Sequence, residues 1–247
     1  MNEFIVVVMV ASYFLAGAIK GMLGIGFPTA AITLAATVVD ARTAIAYVVI
    51  PMCLINAWQI YRSGHLREVV IGNWRMVVSM VVAIGIFSLL SVGLPIRWLT
   101  LVLGCVISLF SIVSLWRSPP AIPEKYTHIA QWVTGSFSGV LGGLAGIWAP
   151  PIIAYLTARR VSSEEFVQIV GVLLFIGSAV LLLGYSYTGV VNANNAIPSF
   201  LLLLPTIAGF TAGEKLRGKI AHELFQKAVL VFFLILGLNF VRRAILM

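Results

Sequence analysis

Residues 4–39 contain one charged side chain, Lys20, in an otherwise apolar run. A helix needs about 20 apolar residues to cross the hydrocarbon core of a bilayer, and this run exceeds that. Seven further apolar segments follow, at residues 43–61, 74–92, 98–116, 129–158, 166–184, 197–213 and 228–241. Only 10% of the 247 residues are charged and 61% are hydrophobic, whereas about a quarter of a soluble domain is charged. The chain therefore reads as an all-α polytopic membrane protein. Its N-terminus lacks a basic stretch ahead of the apolar run, which predicts a retained membrane segment, not a cleaved signal.

The first run is badly made for a plain helix. "GAIKGMLGIGFP", residues 17–28, holds four glycines and a proline. Gly17, Gly21, Leu23 and Gly24 recur 118 residues later as Gly135, Gly139, Leu141 and Gly142. Proline follows in both places, Pro28 in the first and Pro150 with Pro151 in the second. Between the copies lies a polar link with three prolines, "RSPPAIPEKYTH". The chain thus divides into a first membrane repeat (1–117), a linker (118–128) and a second membrane repeat (129–247). Each repeat is expected to hold a broken Gly/Pro-rich helical element plus three further transmembrane helices.

Charge placement bears on how the repeats are oriented. If all eight segments crossed once, alternate loops would carry seven and eight Lys/Arg, with no bias. If residues 129–158 enter and return to the same side, eleven fall on one side (Arg62, Arg67, Arg75, Arg117, Lys125, Arg159, Arg160, Lys215, Arg217, Lys219, Lys227). Four remain on the other (Arg42, Arg97, Arg242, Arg243). The positive-inside rule favours the second arrangement. An odd number of crossings per repeat makes the repeats inverted, as in many secondary transporters; an eight-helix bundle with parallel repeats is the alternative.

Broken backbone at membrane depth must be buried in protein or line a wet cavity. A half-helix N-terminus presents free N–H groups and partial positive charge, which suits an anion. Gly17, Gly21, Gly135 and Gly139 form GxxxG faces and read as helix-packing positions. Gly24, Gly26 and Pro28, with Gly142, Gly143, Gly146, Pro150 and Pro151, read as lining a substrate site. Lys20 either snorkels to the interface or meets an anion; its counterpart in the repeat is Ser138. Asn56 and Gln59, one turn apart, and Gln168 and Ser178 are candidates by position, with interhelical hydrogen bonds as the alternative.

What the segments lack is informative. The eight carboxylates and three histidines all lie in loops or near segment ends. A proton relay, a sodium site or a metal site at membrane depth would need them. Potential-driven anion export needs none, because the membrane potential itself supplies about 2.3 kcal/mol per charge per 100 mV. Cys53 and Cys105 read as small inert core residues. The net charge of +8 suits anionic headgroups of the lipid bilayer, and no basic face with interleaved aromatics points to nucleic acid.

"GAIKGMLGIGFPTAAITL" and "GSFSGVLGGLAGIWAPPIIAYL" resemble the repeated glycine-rich motif of the TauE/SafE sulfite exporter family, over essentially the whole chain. The family's first copy usually runs on in glycines where Phe27 and Pro28 stand here. Its second copy is commonly small where this chain has Trp148 and Ala149, which reshapes the pocket. The resemblance implies a permease, not an enzyme, moving sulfite, a sulfonate or a related small anion across a bacterial inner membrane. No cofactor is implied, and assembly as a homo-oligomer is left open. A channel-like conduit and a non-catalytic structural membrane subunit are the alternatives.

Overall fold

The computed structural model describes residues 3–116, 120–216 and 222–247. Arg117, Pro119, Arg217 and Lys219, which entered the reading of the link and the charge count, lie outside them. The described residues form twelve α-helices: α1 (Glu3–Leu23), α2 (Phe27–Ala35), α3 (Ala41–Ser63), α4 (Leu66–Gly72), α5 (Trp74–Ser91), α6 (Ile96–Trp116), α7 (Thr127–Ala145), α8 (Ala149–Ala158), α9 (Ser163–Tyr187), α10 (Ala193–Leu201), α11 (Leu203–Leu216) and α12 (His222–Leu246). A single 3-10 turn, Glu124–Tyr126, leads into α7.

The breaks in the long helices have local causes. Gly24 (φ 79°) and Gly26 (φ 95°) take left-handed backbone between α1 and α2, and Pro28 lies in the first turn of α2. Gly146 (φ 69°) plays the same part between α7 and α8, whose first turn holds Pro150 and Pro151. These conformations cost a side chain about 1–2 kcal/mol and glycine almost nothing. Elsewhere ordinary caps set the ends. Asp40 accepts from the Thr43 N–H at 3.0 Å at the start of α3, and Ser162 accepts from the Glu165 N–H at 3.2 Å at the start of α9.

Two points differ from the segments read in the sequence. The seventh segment is two consecutive helices, α10 and α11, parted at Leu202, and Asn192 and Asn195 build a capping box that starts α10 ahead of the apolar run. The stretch after residue 61 is not only loop: Gly64 (φ 71°) ends α3 and the short α4 follows. The cysteines also sit differently. Cys53 is half-buried and Cys105 is on the exposed outer face of α6, where lipid solvates apolar side chains as well as a core does.

Helices pair through glycines that bring backbones into contact. Gly17 and Gly21 face Thr206, Phe210 and Glu214 of α11, while Gly209 and Gly213 face back onto Phe14 and Ala18 of α1. The register increases on both sides, so α1 and α11 run parallel. Gly135, Gly139 and Gly143 step along Met76, Met80 and Phe87 of α5, so α7 and α5 run parallel too. Gly104 meets Gly237 and Val241, and Gly237 meets Ser108, an antiparallel pairing of α6 with α12. Gln59 lies by Gly171 while Cys53 lies by Ser178, which makes α3 antiparallel to α9.

The two ends of the bundle are tied by specific bonds. At one end an Nη of Arg42 donates to the carbonyls of Ser91 (3.1 Å), Val92 (3.0 Å) and Leu94 (2.7 Å). Arg243 donates there to the Ala36 carbonyl at 3.1 Å. At the other end the Ile122 N–H donates to the Ala158 carbonyl at 3.1 Å. Ile122 lies five residues ahead of α7, so the last residue of α8 sits against the linker that leads into α7, and the α7–α8 element turns back toward the end from which it came. Trp74 and Trp132 cross edge-to-face at 5.9 Å near this end, with Arg75 over the Trp74 ring, an arrangement suited to a headgroup interface.

Candidate anion site

Lys20 does not reach for the interface. It is 1% exposed in the last turn of α1, and its ammonium donates to Asn56 Oδ1 and Gln59 Oε1, both at 2.8 Å. Asn56 is 1% exposed as well. The two amides are one turn apart on α3, so one helix face presents both oxygens to one cation. Both acceptors are neutral. Gln59 Nε2 points to the Val167 carbonyl of α9 at 3.5 Å, the outer limit of a hydrogen bond. Gly171 makes room for that amide, since a Cβ there would come within 2.8 Å of Nε2.

This cluster adjoins the first break. The Gly24 N–H closes the last turn of α1 on the Lys20 carbonyl at 2.7 Å. Residues 23–26 are only partly buried, and a Cβ on Gly26 would meet nothing nearer than Ile19 Cγ2 at 3.5 Å. Pro28 and the rest of the first turn of α2 are buried.

The second break is closed. Residues 145–149 are all buried, and a Cβ on Gly146 would meet Ile45 at 2.9 Å and Ile32 of α2 at 3.0 Å. The Trp148 indole, fully buried, fills a slot between Gly142 and Gly177. Cβ atoms at those glycines would come within 3.0 Å and 2.6 Å of the ring. Its N–H donates to the Leu173 carbonyl at 3.4 Å. Gly142 thus faces the indole, and Gly143 faces Phe87 and Ser88 of α5. Pro150 and Pro151 have no N–H to offer, so the first turn of α8 holds fewer free donors than its position alone suggests. Gln168 stays with its own helix, 3.5 Å from Glu164 Oε1.

Of the candidates, hydrogen bonds join the side chains of Lys20, Asn56 and Gln59, with Gly24 on the backbone turn that ends α1 and Gly26 two residues further on. Gln168 bonds within its own helix, and Gly142, Gly143 and Gly146 pack against Trp148, α5, α2 and α3. Gly171 and Gly177 carried no signal in the sequence, because a glycine in an apolar run acquires meaning only from the neighbour that needs its missing side chain. Among the described residues five buried hydroxyls have no hydrogen-bond partner: Tyr13 on α1, Thr33 on α2, Thr127 and Ser138 on α7, and Ser108 on α6. Four of the five lie on the broken elements.

Seven helices among the described residues, with α10 and α11 counted as one, are long and apolar enough to cross a membrane. The molecule is a multi-pass membrane protein. It belongs to the sulfite exporter TauE/SafE family, which matches residues 9–240. Members of that family are transporters of sulfur anions, and the chain is a membrane transport protein with an anionic substrate. No curated protein and no solved structure matches it.

Proposed function

We propose that the protein is a secondary permease of a bacterial inner membrane, exporting sulfite or an organosulfonate by alternating access between two inverted repeats, residues 1–117 and 129–247. The observation that carries this reading is the buried Lys20 ammonium, held by two neutral amide oxygens beside a half-open glycine break. A cation so placed is expensive without a counter-charge, and since no carboxylate pairs with it among the described residues, a substrate anion can take that part.

The helix pairing supports the repeats. At the 118-residue spacing α1 answers to α7 and α3 to α9, and in chain order, at a wider spacing, α5 answers to α11 and α6 to α12. The pairing of α1 with α11 is then the image of the pairing of α7 with α5. The self-paired helices, α3 with α9 and α6 with α12, are antiparallel. A two-fold axis that reverses a helix direction lies perpendicular to the helices, in the membrane plane, which is the inverted arrangement. The contrast between an open first break and a sealed second break suits one of two alternating states. The unpartnered hydroxyls of Tyr13, Thr33 and Ser138 are polar groups that a second state or a passing substrate can satisfy.

The test is uptake of labelled sulfite and methanesulfonate into proteoliposomes under an imposed potential. Saturable flux with counterflow is expected, abolished by Gly24→Leu in protein that still inserts and stays monodisperse. Flux that never saturates, or a Gly24→Leu variant with normal flux, would contradict the assignment.

A further inference from the structure

We infer that the Lys20–Asn56–Gln59 cluster selects singly charged oxyanions over doubly charged ones; this rests on the permease reading above and specifies its substrate class. An ammonium has three hydrogens, and two are taken by the amide oxygens at 2.8 Å. The third is the one left for a ligand. Because both protein acceptors are neutral, they orient the cation without cancelling its charge. Had residue 56 or 59 been Asp or Glu, the cluster would already be neutral and would hold an anion poorly.

The cluster therefore presents one positive charge in a buried place. A monoanion brings the occupied site to neutrality, the cheapest condition for a group moved through low dielectric. A dianion would leave one uncompensated negative charge there, with little water to solvate it. The amide nitrogen of Gln59, weakly held by Val167 and given room by Gly171, is a donor that can turn to a second oxygen of the same ligand. One charge, a primary donor on the ammonium and an adaptable amide fit a monosulfonate or bisulfite. They do not fit sulfate, thiosulfate or a sulfonate that also carries a carboxylate.

The measurement is equilibrium binding to purified full-length protein at constant ionic strength, with methanesulfonate, sulfate, thiosulfate and sulfoacetate as probes, followed by flux of the same four in proteoliposomes. Methanesulfonate is expected to bind at least about tenfold tighter than each dianion. Its binding is expected to be lost in Gln59→Glu, a nearly isosteric change that cancels the site charge, and retained in Lys20→Arg. If either variant fails to fold, the four-anion series on the wild-type protein decides alone. Sulfate or sulfoacetate binding within about twofold of methanesulfonate, or a folded Gln59→Glu variant with unchanged affinity, would overturn the selection and leave the permease standing. Wild-type protein that neither binds nor carries any of the four would overturn both.

Discussion

Gly26 and Gly146 occupy similar bends in dissimilar surroundings, and this separates two reasons for a glycine. Both have positive φ, so any side chain is strained there by about 1–2 kcal/mol. At Gly26 the added Cβ would have space; at Gly146 it would press on Ile45 and Ile32 at about van der Waals overlap. Gly146→Ala is therefore expected to lower the melting temperature in detergent distinctly more than Gly26→Ala, by a further packing cost of about 1–3 kcal/mol. Equal shifts would mean that conformation alone sets both positions. Lys20 was conspicuous in the sequence as the lone charge in its run, and Asn56 and Gln59 as polar letters one turn apart. Nothing in the sequence joined them, since the pairing of α1 with α3 across 36 and 39 residues is a tertiary event. The amides that hold the cation in place of snorkelling come from that pairing.

Among the elements, α7 and α8 form a helical hairpin whose tip is filled by its own Trp148. The indole has replaced the small residues expected at this tip, and Gly142 and Gly177 supply the volume it occupies. Trp148→Ala leaves a void between two glycines, for which about 3–5 kcal/mol of destabilisation is typical. It is also expected to let anions leak through proteoliposomes without saturation, while Trp148→Phe keeps most of the seal. Anion-tight Trp148→Ala vesicles would remove the indole from the permeation path. The breaks themselves were legible, because glycine and proline act locally through φ and the missing N–H. That one break is open and the other sealed was not legible, since that depends on what packs against each.

For the whole molecule, the bond between Ile122 and Ala158 and the cap of Arg42 on the end of α5 assign opposite ends of the bundle to the two groups of loops. In a background with Cys53 and Cys105 replaced, single cysteines at Glu124 and Arg160 are expected to label from one side of the membrane and one at Arg97 from the other. Labelling of positions 124 and 160 from opposite sides would rule out the re-entering hairpin and, with it, the inverted arrangement. The charge asymmetry that suggested this hairpin is a long-range property of loops, so it could be counted without knowing any contact.

The amino-acid sequence by itself determined the membrane class, the positions of both glycine breaks and the family. Each of these depends on composition, local backbone preference or spacing along the chain. Which polar residues share a site, which glycines make room for a neighbour, and which break is closed follow from packing between helices. Those outcomes depend on helix faces meeting across the bundle, and a helix face is indifferent to its partner until packing chooses one.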